Sequence, residues 1–249
     1  MSLYKELDYS EKVREVAGVQ FSVISPDEIR KRSVVSVTQT ILYDSSGEPV
    51  IGGLFDPRMG VLDHGKVCPT DGLDNRFCPG YFGHIELARP VFHIQFLPIV
   101  MKIIKGICIR CSKLLIDVNN QEIVEIINSS KGMKRFNQII DKCSKVKICG
   151  TECDNGCGAI QPSKYSKEGL SKIYAEWKDK DLSLEKNDKQ LLTAEFIQKI
   201  FRRISNEDCE ILGLSANWCR PEWLICEVLP VSPPSVRPSV RQFNNQRSE

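Results

Sequence analysis

The sequence predicts a mixed fold of helices and strands whose long loops are clipped by metal, and three observations predict it. Short alternating or β-branched runs, Val19 to Ile24 and Ser33 to Thr40, stand beside longer segments with apolar residues at helical spacing, such as Ile94 to Ile107. A Gly- and Pro-containing loop runs from Ser45 to Gly83 and needs something to hold it. Eleven cysteines cluster in Cys-x-x-Cys, Cys-Pro and Cys-Gly contexts, the pattern of thiolate metal ligands in a chain kept in a reducing compartment.

The elements follow in order. After the Val19 to Ile24 strand, Ser25-Pro26-Asp27-Glu28 offers an N-cap, a proline at the first helical position and a capping-box glutamate, so a short helix from Pro26 to about Ser33 is expected. Ser33 to Thr40 is a second strand. Ser45-Ser46-Gly47 and Gly52-Gly53 supply turn chemistry at the head of the long loop, and a brief strand begins at Ile85. Ile94 to Ile107 is a buried helix with Pro98 in its first turn, closed by a cysteine pair. Gln121 to Asn128 and Lys131 to Cys143 are amphipathic helices parted by Ser129-Ser130, so they form an insertion between two cysteine clusters. Lys178 to Gln190 is charge-rich and reads as a solvated loop. Thr193 caps a helix to about Ile204, and Trp223 to Val240 starts as an apolar strand and ends in extended, polyproline-like chain around Pro233-Pro234 and Pro238. No internal repeat is found.

At 249 residues the chain is long enough for one large or two modest domains, and 41% hydrophobic with 27% charged residues is the composition of a folded, soluble protein. The net charge of +2 sets up no global field for nucleic acid, so any phosphate contact must be local. The charged N-terminus lacks the apolar stretch of a secretory signal, and no apolar run is long enough to span a bilayer, so an intracellular location without a membrane partner is expected.

Two metal sites are candidates. Cys108-Ile-Arg-Cys111, followed downstream by Cys149, Cys153 and Cys157, can place four thiolates around one tetrahedral zinc, with either Cys149 or Cys153 spare. Such a shell has no open position for a reacting water, so its role is structural. The second set is mixed and irregularly spaced: Cys68, Cys78 and His84, with Asp71 as an oxygen ligand. Without metal, that loop would depend on the turn geometry of Pro79, Gly80 and Gly83 and on packing of Phe77, Tyr81 and Phe82. His64 and His93 read as surface or core residues, and Cys143, Cys209, Cys219 and Cys226 as core. No nucleophile-base arrangement or phosphate-cradling glycine loop is seen.

Several ordered segments resemble the largest subunit of cellular RNA polymerases, most closely the RNA polymerase II type. They are Val19-Gln-Phe-Ser-Val-Ile-Ser-Pro-Asp-Glu-Ile29, Gly52-Gly-Leu-Phe-Asp-Pro-Arg-Met-Gly60, Cys78-Pro-Gly-Tyr-Phe-Gly-His84 and Ala88-Arg-Pro-Val-Phe-His93, then Cys108-Ile-Arg-Cys111-Ser-Lys-Leu-Leu115, Gly156-Cys-Gly158 with Gln161-Pro162, Arg220-Pro-Glu-Trp223 and Leu229-Pro-Val-Ser-Pro-Pro-Ser-Val-Arg-Pro238. The resemblance implies an α+β module, the zinc-binding clamp core and clamp head, with 1–107 and 178–249 as clamp core and 108–177 as the zinc-bearing head. It assigns the zinc to Cys108, Cys111, Cys157 and Cys149, leaving Cys153 extra. The family's second site is Cys-x-x-Cys with a downstream Cys-x-x-His; here the second Cys is Asp71 and the His is Tyr81, so two of the four ligands are missing.

The implied function is retention of template DNA and the RNA–DNA hybrid in the cleft, beside the second-largest and other polymerase subunits, as part of a nucleotidyltransferase. The family's Asn-Ala-Asp-Phe-Asp-Gly-Asp run, whose aspartates hold Mg2+, is absent, so Mg2+ belongs only to the full enzyme, the fragment alone is expected to be inactive, and the chain reads as truncated before the catalytic domains. A nuclear location is expected for a cellular source, and a virion or infected-cell cytoplasm for a large DNA virus, to which the lost ligands point. Arg58, Lys66, Lys102 and Lys105 are candidate phosphate contacts. The alternative is a free-standing zinc-ribbon-like binding module; a zinc hydrolase is disfavoured because no open His-rich site or positioned glutamate base is present.

Overall fold

A computed structural model of the chain describes residues 16–19, 21–151, 156–169, 171–177, 188–238, 240–241 and 247–248. The elements that position the cysteines are, in chain order, α1 (Pro26–Arg32), β1 (Val35–Ser36), β2 (Gly83–Phe92), α2 (Leu97–Gly106), α3 (Gln121–Ser129), α4 (Gly132–Cys143), β3 (Lys164–Glu168), β4 (Lys172–Trp177), β5 (Asp188–Leu192), α5 (Ala194–Arg202), α6 (Asn206–Ile211) and β6 (Ile225–Val231).

Helix starts follow local chemistry. The Ser25 hydroxyl accepts the Glu28 N–H at 3.1 Å and Pro26 opens α1, while Asn120, Thr193 and Ser205 cap α3, α5 and α6 through their side-chain oxygens. Acidic residues fill the first turn of α1 and basic ones its last, complementing the helix dipole. One three-stranded sheet has the order β1-β2-β6, with β1 parallel and β6 antiparallel to β2, and so joins chain segments from opposite ends of the sequence. The β2–β6 register slips between Glu86 and Val91, where Pro90 has no N–H to give the ladder. A second three-stranded sheet has the order β3-β4-β5, all antiparallel, and residues 240–241 pair antiparallel with 247–248 in a small two-stranded one.

The main core lies where α2, α4 and α5 meet. Leu97, Val100, Ile103 and Ile104 make the buried stripe of α2, facing Phe136, Ile139 and Ile140 of α4, with Ile197, Ile200 and Phe201 of α5 in the same cluster. Each of these side chains contributes roughly 1.5–3 kcal/mol by leaving water. α2 ends in Gly106 because α4 approaches it closely: a Cβ there would meet Ile140 Cδ1 at 2.5 Å. A smaller apolar cluster, Val35, Val37, Met59 and Val231, lies at the β1 end of the first sheet.

Several expectations need correction. Among the described residues, Val19 to Ile24 forms no strand; Val19 and Phe21 are exposed, and Val23 donates one backbone bond to Trp218 O, which is too little to build a ladder. Only Val35–Ser36 of Ser33 to Thr40 is strand, because past Ser36 the chain turns to Gly52, whose carbonyl accepts from Thr38 and Gln39. The strand expected from Ile85 is longer, covering Gly83–Phe92. Residues 188–190, read as loop, are in β5, because β4 buries Ile173 and Ala175 and needs a second neighbour; residues 178–187 lie outside the described residues. Around Pro233 the chain turns instead of extending: Val236 N–H donates to Pro233 O and Arg237 N–H to Pro234 O, bonds that polyproline geometry lacks.

The long loop has its own anchor. Asp56 is fully buried, accepting from the Arg58 guanidinium at 2.7 Å, the Arg58 N–H at 2.9 Å and the Gly52 N–H. Burial pushes its carboxyl up, but the Arg58 side chain and the two backbone N–H groups outweigh that and hold it below the ordinary carboxylate range. A depressed carboxyl contributes stability that is complete above the unfolded value of about 3.9 and is lost as pH falls through the folded value. Asp56→Asn is therefore expected to cost about 2–3 kcal/mol at neutral pH, with the gap to the parent closing as the pH of urea denaturation is lowered below about 4; equal stability of the two proteins at pH 7 would contradict the anchor.

Candidate metal centres

The strongest cluster starts where α2 stops. Ile107 leaves the helix in an extended conformation, and a tight turn follows: Cys108 N–H donates to Lys113 O at 2.8 Å, Ser112 N–H donates to Cys108 O at 2.9 Å, and Ile107 bridges Leu114. Ser112 takes a left-handed φ of 64° to close it. Turned back on itself, the segment presents Cys108 and Cys111 sulfurs to one side. A longer loop is closed at its base by a similar pair of bonds: Cys149 N–H donates to Ala159 O, Gly158 N–H to Cys149 O at 2.9 Å, and Ile148 bridges Ile160, with Gly158 at φ 70°.

Together the turn and the loop bring Cys108, Cys111, Cys149 and Cys157 to a point, with all four sulfurs within 4.8 Å of one another. The Cys108–Cys157 and Cys111–Cys149 separations are 3.5 and 3.7 Å. A tetrahedral zinc with Zn–S bonds of about 2.3 Å puts its sulfurs about 3.8 Å apart, whereas a disulfide needs about 2.05 Å. The donor set and its spacing thus fit zinc. Of the five cysteines in contention, Cys153 lies outside the described residues, and Cys149 is the one seen in the cluster.

Donors converge on Cys108. The Arg110 N–H lies 3.4 Å from its sulfur and the Gln161 amide N–H 3.2 Å, and the same Gln161 accepts the Ile109 N–H through Oε1 at 3.1 Å. Burial pushes the Cys108 thiol up, but the Cys111 and Arg110 N–H groups, with the Cys157 and Cys111 thiols, bring it down to about 7. Cys149 is pushed the other way, by burial first and then by its neighbours Cys111 and Cys108. One thiol of the cluster is thereby poised to ionise first, the form a metal ion binds. Gln161 is the functional residue that spacing alone passes over; its proximity to the Gly-Cys-Gly segment is the only trace in the sequence.

The second cluster is smaller. Cys68, Asp71 and Cys78 bring one ligand atom each within 4.8 Å of the others. His84 is not brought to them: it sits in β2 opposite Pro230, its Nδ1 2.7 Å from Ser33 Oγ and its Nε2 3.7 Å from Glu86. The side chain beside Asp71 is instead Tyr81, whose hydroxyl donates to Oδ2 at 3.2 Å. Burial, followed by the Asp71 carboxylate, pushes the Cys78 thiol up to about 12.

The remaining sequence candidates are placed as follows. His64 is exposed, with Nδ1 3.3 Å from the Asn75 amide, and His93 packs on Phe96 at the start of α2. Cys143 and Cys209 are fully buried, and Cys219 and Cys226 partly so. Arg58 is bound to Asp56, Lys66 to Glu48, and Lys102 to Asn137 at 2.9 Å. Lys102 and Lys105 share the exposed side of α2.

Replacing Gln161 by Leu strips the Ile109 N–H and the Cys108 sulfur of their partner without emptying the space. Such an unpaired buried donor costs roughly 1–3 kcal/mol, so Gln161→Leu is expected to lower the midpoint of denaturant unfolding with no change in slope, and an unchanged midpoint would remove Gln161 from the site.

Residues 13–249 match the family model described as RNA polymerase Rpb1, domain 1. The DNA-directed RNA polymerase II subunit RPB1 of Euplotoides octocarinatus is 41% identical to the chain over 243 residues, which cover 95% of this chain and 50% of that protein. The chain therefore spans about half the length of the relative it matches. With the match running through both cysteine clusters and both sheets, the chain belongs to the family of the RNA polymerase largest subunit, at its first domain.

Proposed function

We propose that the chain is the clamp region of the largest subunit of a DNA-directed RNA polymerase, holding template DNA and the RNA–DNA hybrid while chemistry proceeds elsewhere in the enzyme. The Rpb1 domain 1 match over residues 13–249 carries the proposal. Residues 1–107 and 178–249 serve as clamp core and 108–177 as the head, the β1-β2-β6 sheet joining the two core segments and β5 pairing with β4 across the 177/178 division. The relative is a cellular polymerase subunit, so a nuclear location and partnership with the other polymerase subunits go with this role.

Cys108, Cys111, Cys149 and Cys157 would hold one zinc, which with four thiolates acts as a structural clip and leaves no place for a reacting water. The clip fixes the insertion α3–α4 against α2, and the joined unit serves as a stiff lever. Its contacts with nucleic acid go to phosphates, which secure the duplex without reading bases. Arg58 and Lys66 are paired with the carboxylates of Asp56 and Glu48, whereas Lys102 bonds to the neutral Asn137 amide, so Lys102 and Lys105 on the exposed side of α2 are the stronger candidates.

Three measurements follow. In a transcription-competent extract, an antibody to this chain is expected to detect a nuclear polypeptide that co-fractionates with RNA synthesis; fractionation away from synthesis would favour a free-standing zinc module. Cys111→Ser is expected to lose one zinc equivalent and Cys153→Ser none, by atomic emission on the purified chain. In the assembled polymerase, Lys102→Glu with Lys105→Glu is expected to weaken retention of DNA and to lower the slope of log affinity against log salt by about 1 per lost contact; an unchanged slope would exclude these two residues.

A further inference from the structure

We infer that the Cys68–Cys78 loop is closed without zinc, by a hydrogen-bonded set in which the Tyr81 hydroxyl donates to the Asp71 carboxylate and the Cys68 thiol to the Arg58 carbonyl. Two cysteine clusters in one chain allow a direct comparison, and it does not depend on the polymerase role.

The backbone turn is the same in both. At the second cluster Cys68 N–H donates to Leu73 O at 2.9 Å, Gly72 N–H donates to Cys68 O at 2.8 Å, Val67 bridges Asp74, and Gly72 takes a left-handed φ of 72°. These match, bond for bond, the turn at Cys108, where Ser112 stands in place of Gly72 and Cys111 in place of Asp71. The turn has persisted with one of its two thiols gone, so its geometry comes from the peptide groups and does not require a metal.

What surrounds the sulfurs differs. At Cys108, N–H groups of Arg110 and Gln161 point at the sulfur, an environment that favours a thiolate ligand. At the second cluster the sulfurs face acceptors. Cys68 Sγ donates to Arg58 O at 3.8 Å, and the Cys68 and Cys78 sulfurs each lie within 4.8 Å of an Asp71 carboxylate oxygen.

Asp71 is itself filled. Its Oδ1 accepts the Leu73 N–H at 2.9 Å and its Oδ2 the Tyr81 hydroxyl at 3.2 Å. A closed structural zinc takes four ligands; here three candidate ligand atoms meet, and the neighbouring fourth group is a phenol already engaged as a donor. His84, which would complete the set, is held by Ser33 and lies in β2. The loop is also secured from outside: Tyr81 N–H donates to Met59 O at 2.8 Å, Thr70 Oγ1 to Arg58 O at 2.6 Å, and Gly80 packs so closely on Pro233 that a Cβ there would lie 2.6 Å from it. Protein groups have taken over the work of a metal clip.

Zinc content of the full 249-residue chain, measured by atomic emission and native mass spectrometry after expression with zinc, tests this by difference. Cys78→Ser is expected to hold as much zinc as the parent. Asp71→Cys combined with Tyr81→His is expected to hold one equivalent more, because it restores two ligands on an intact turn. Tyr81→Phe is expected to leave zinc unchanged while amide exchange across residues 68–81 rises several-fold. A parent holding one equivalent more than Cys78→Ser would overturn the inference. No gain in the double variant would overturn the claim that these two side chains exclude the metal, and unchanged exchange in Tyr81→Phe would overturn the role of the phenol. Cys111→Ser reports on the other cluster alone, so failure of that assignment is read separately.

Discussion

Much of this structure depends on one pair of backbone bonds at a cysteine, which closes a tight turn at Cys108 and Cys68 and the base of a longer loop at Cys149. A cysteine N–H bonds to a carbonyl further along, a later N–H bonds back to the cysteine carbonyl, and a residue with left-handed φ closes the ring, at Cys108, at Cys149 and at Cys68. At Cys108 and Cys68 these bonds pair peptide groups of the irregular chain with one another. Where the Cys108 turn meets the Cys149 loop, four sulfurs within 4.8 Å join chain segments on either side of α3 and α4. Loop closure of that length is entropically unfavourable, and the packing of α4 on α2 helps to offset it.

Packing and the sulfur cluster are not independent. Cys108, Cys143 and Cys149 sit in the same apolar core as Ile103, Ile104 and Ile139, so the cluster is walled on one side by aliphatic side chains and open to peptide donors on the other. That arrangement raises the cost of charge on Cys149 while the N–H groups at Cys108 lower it there. The same balance runs the opposite way at Cys78, where the nearby acceptor is a carboxylate. Two clusters built on one kind of turn thus differ in chemistry because of what the second shell offers the sulfur.

Charge is used locally. Arg58 serves Asp56, Arg30 bridges Glu86 and Asp27, and Arg220 bonds Glu222 and the Ile204 carbonyl, so much of the arginine complement is spent on the protein's own loops and sheet edges. Exposed ion pairs such as Arg30–Asp27 contribute little stability each; the pairs on buried Asp56 and on largely buried Glu222 differ in being shielded from water. A modest net charge therefore coexists with exposed lysines such as Lys102 and Lys105.

The sequence by itself determined what short-range chemistry dictates. Ser25-Pro26, Thr193 and the Ile/Lys spacing of α2 fixed three helices, Gln121 to Cys143 gave α3 and α4, and cysteine spacing made Cys108, Cys111 and Cys157 legible with either Cys149 or Cys153, the choice of Cys149 coming from the family resemblance. The β3–β4 hairpin and α6 carry weak periodicity and went unread, and Val19 to Ile24 carried a strand pattern with no ladder to join. Only the tertiary structure decided that β1, β2 and β6 share a sheet, that Gln161 reaches Cys108, and that Tyr81 rather than His84 stands beside Asp71. Those outcomes turn on which distant segment supplies a partner, and strand register and side-chain reach are set by three-dimensional packing that no local pattern encodes.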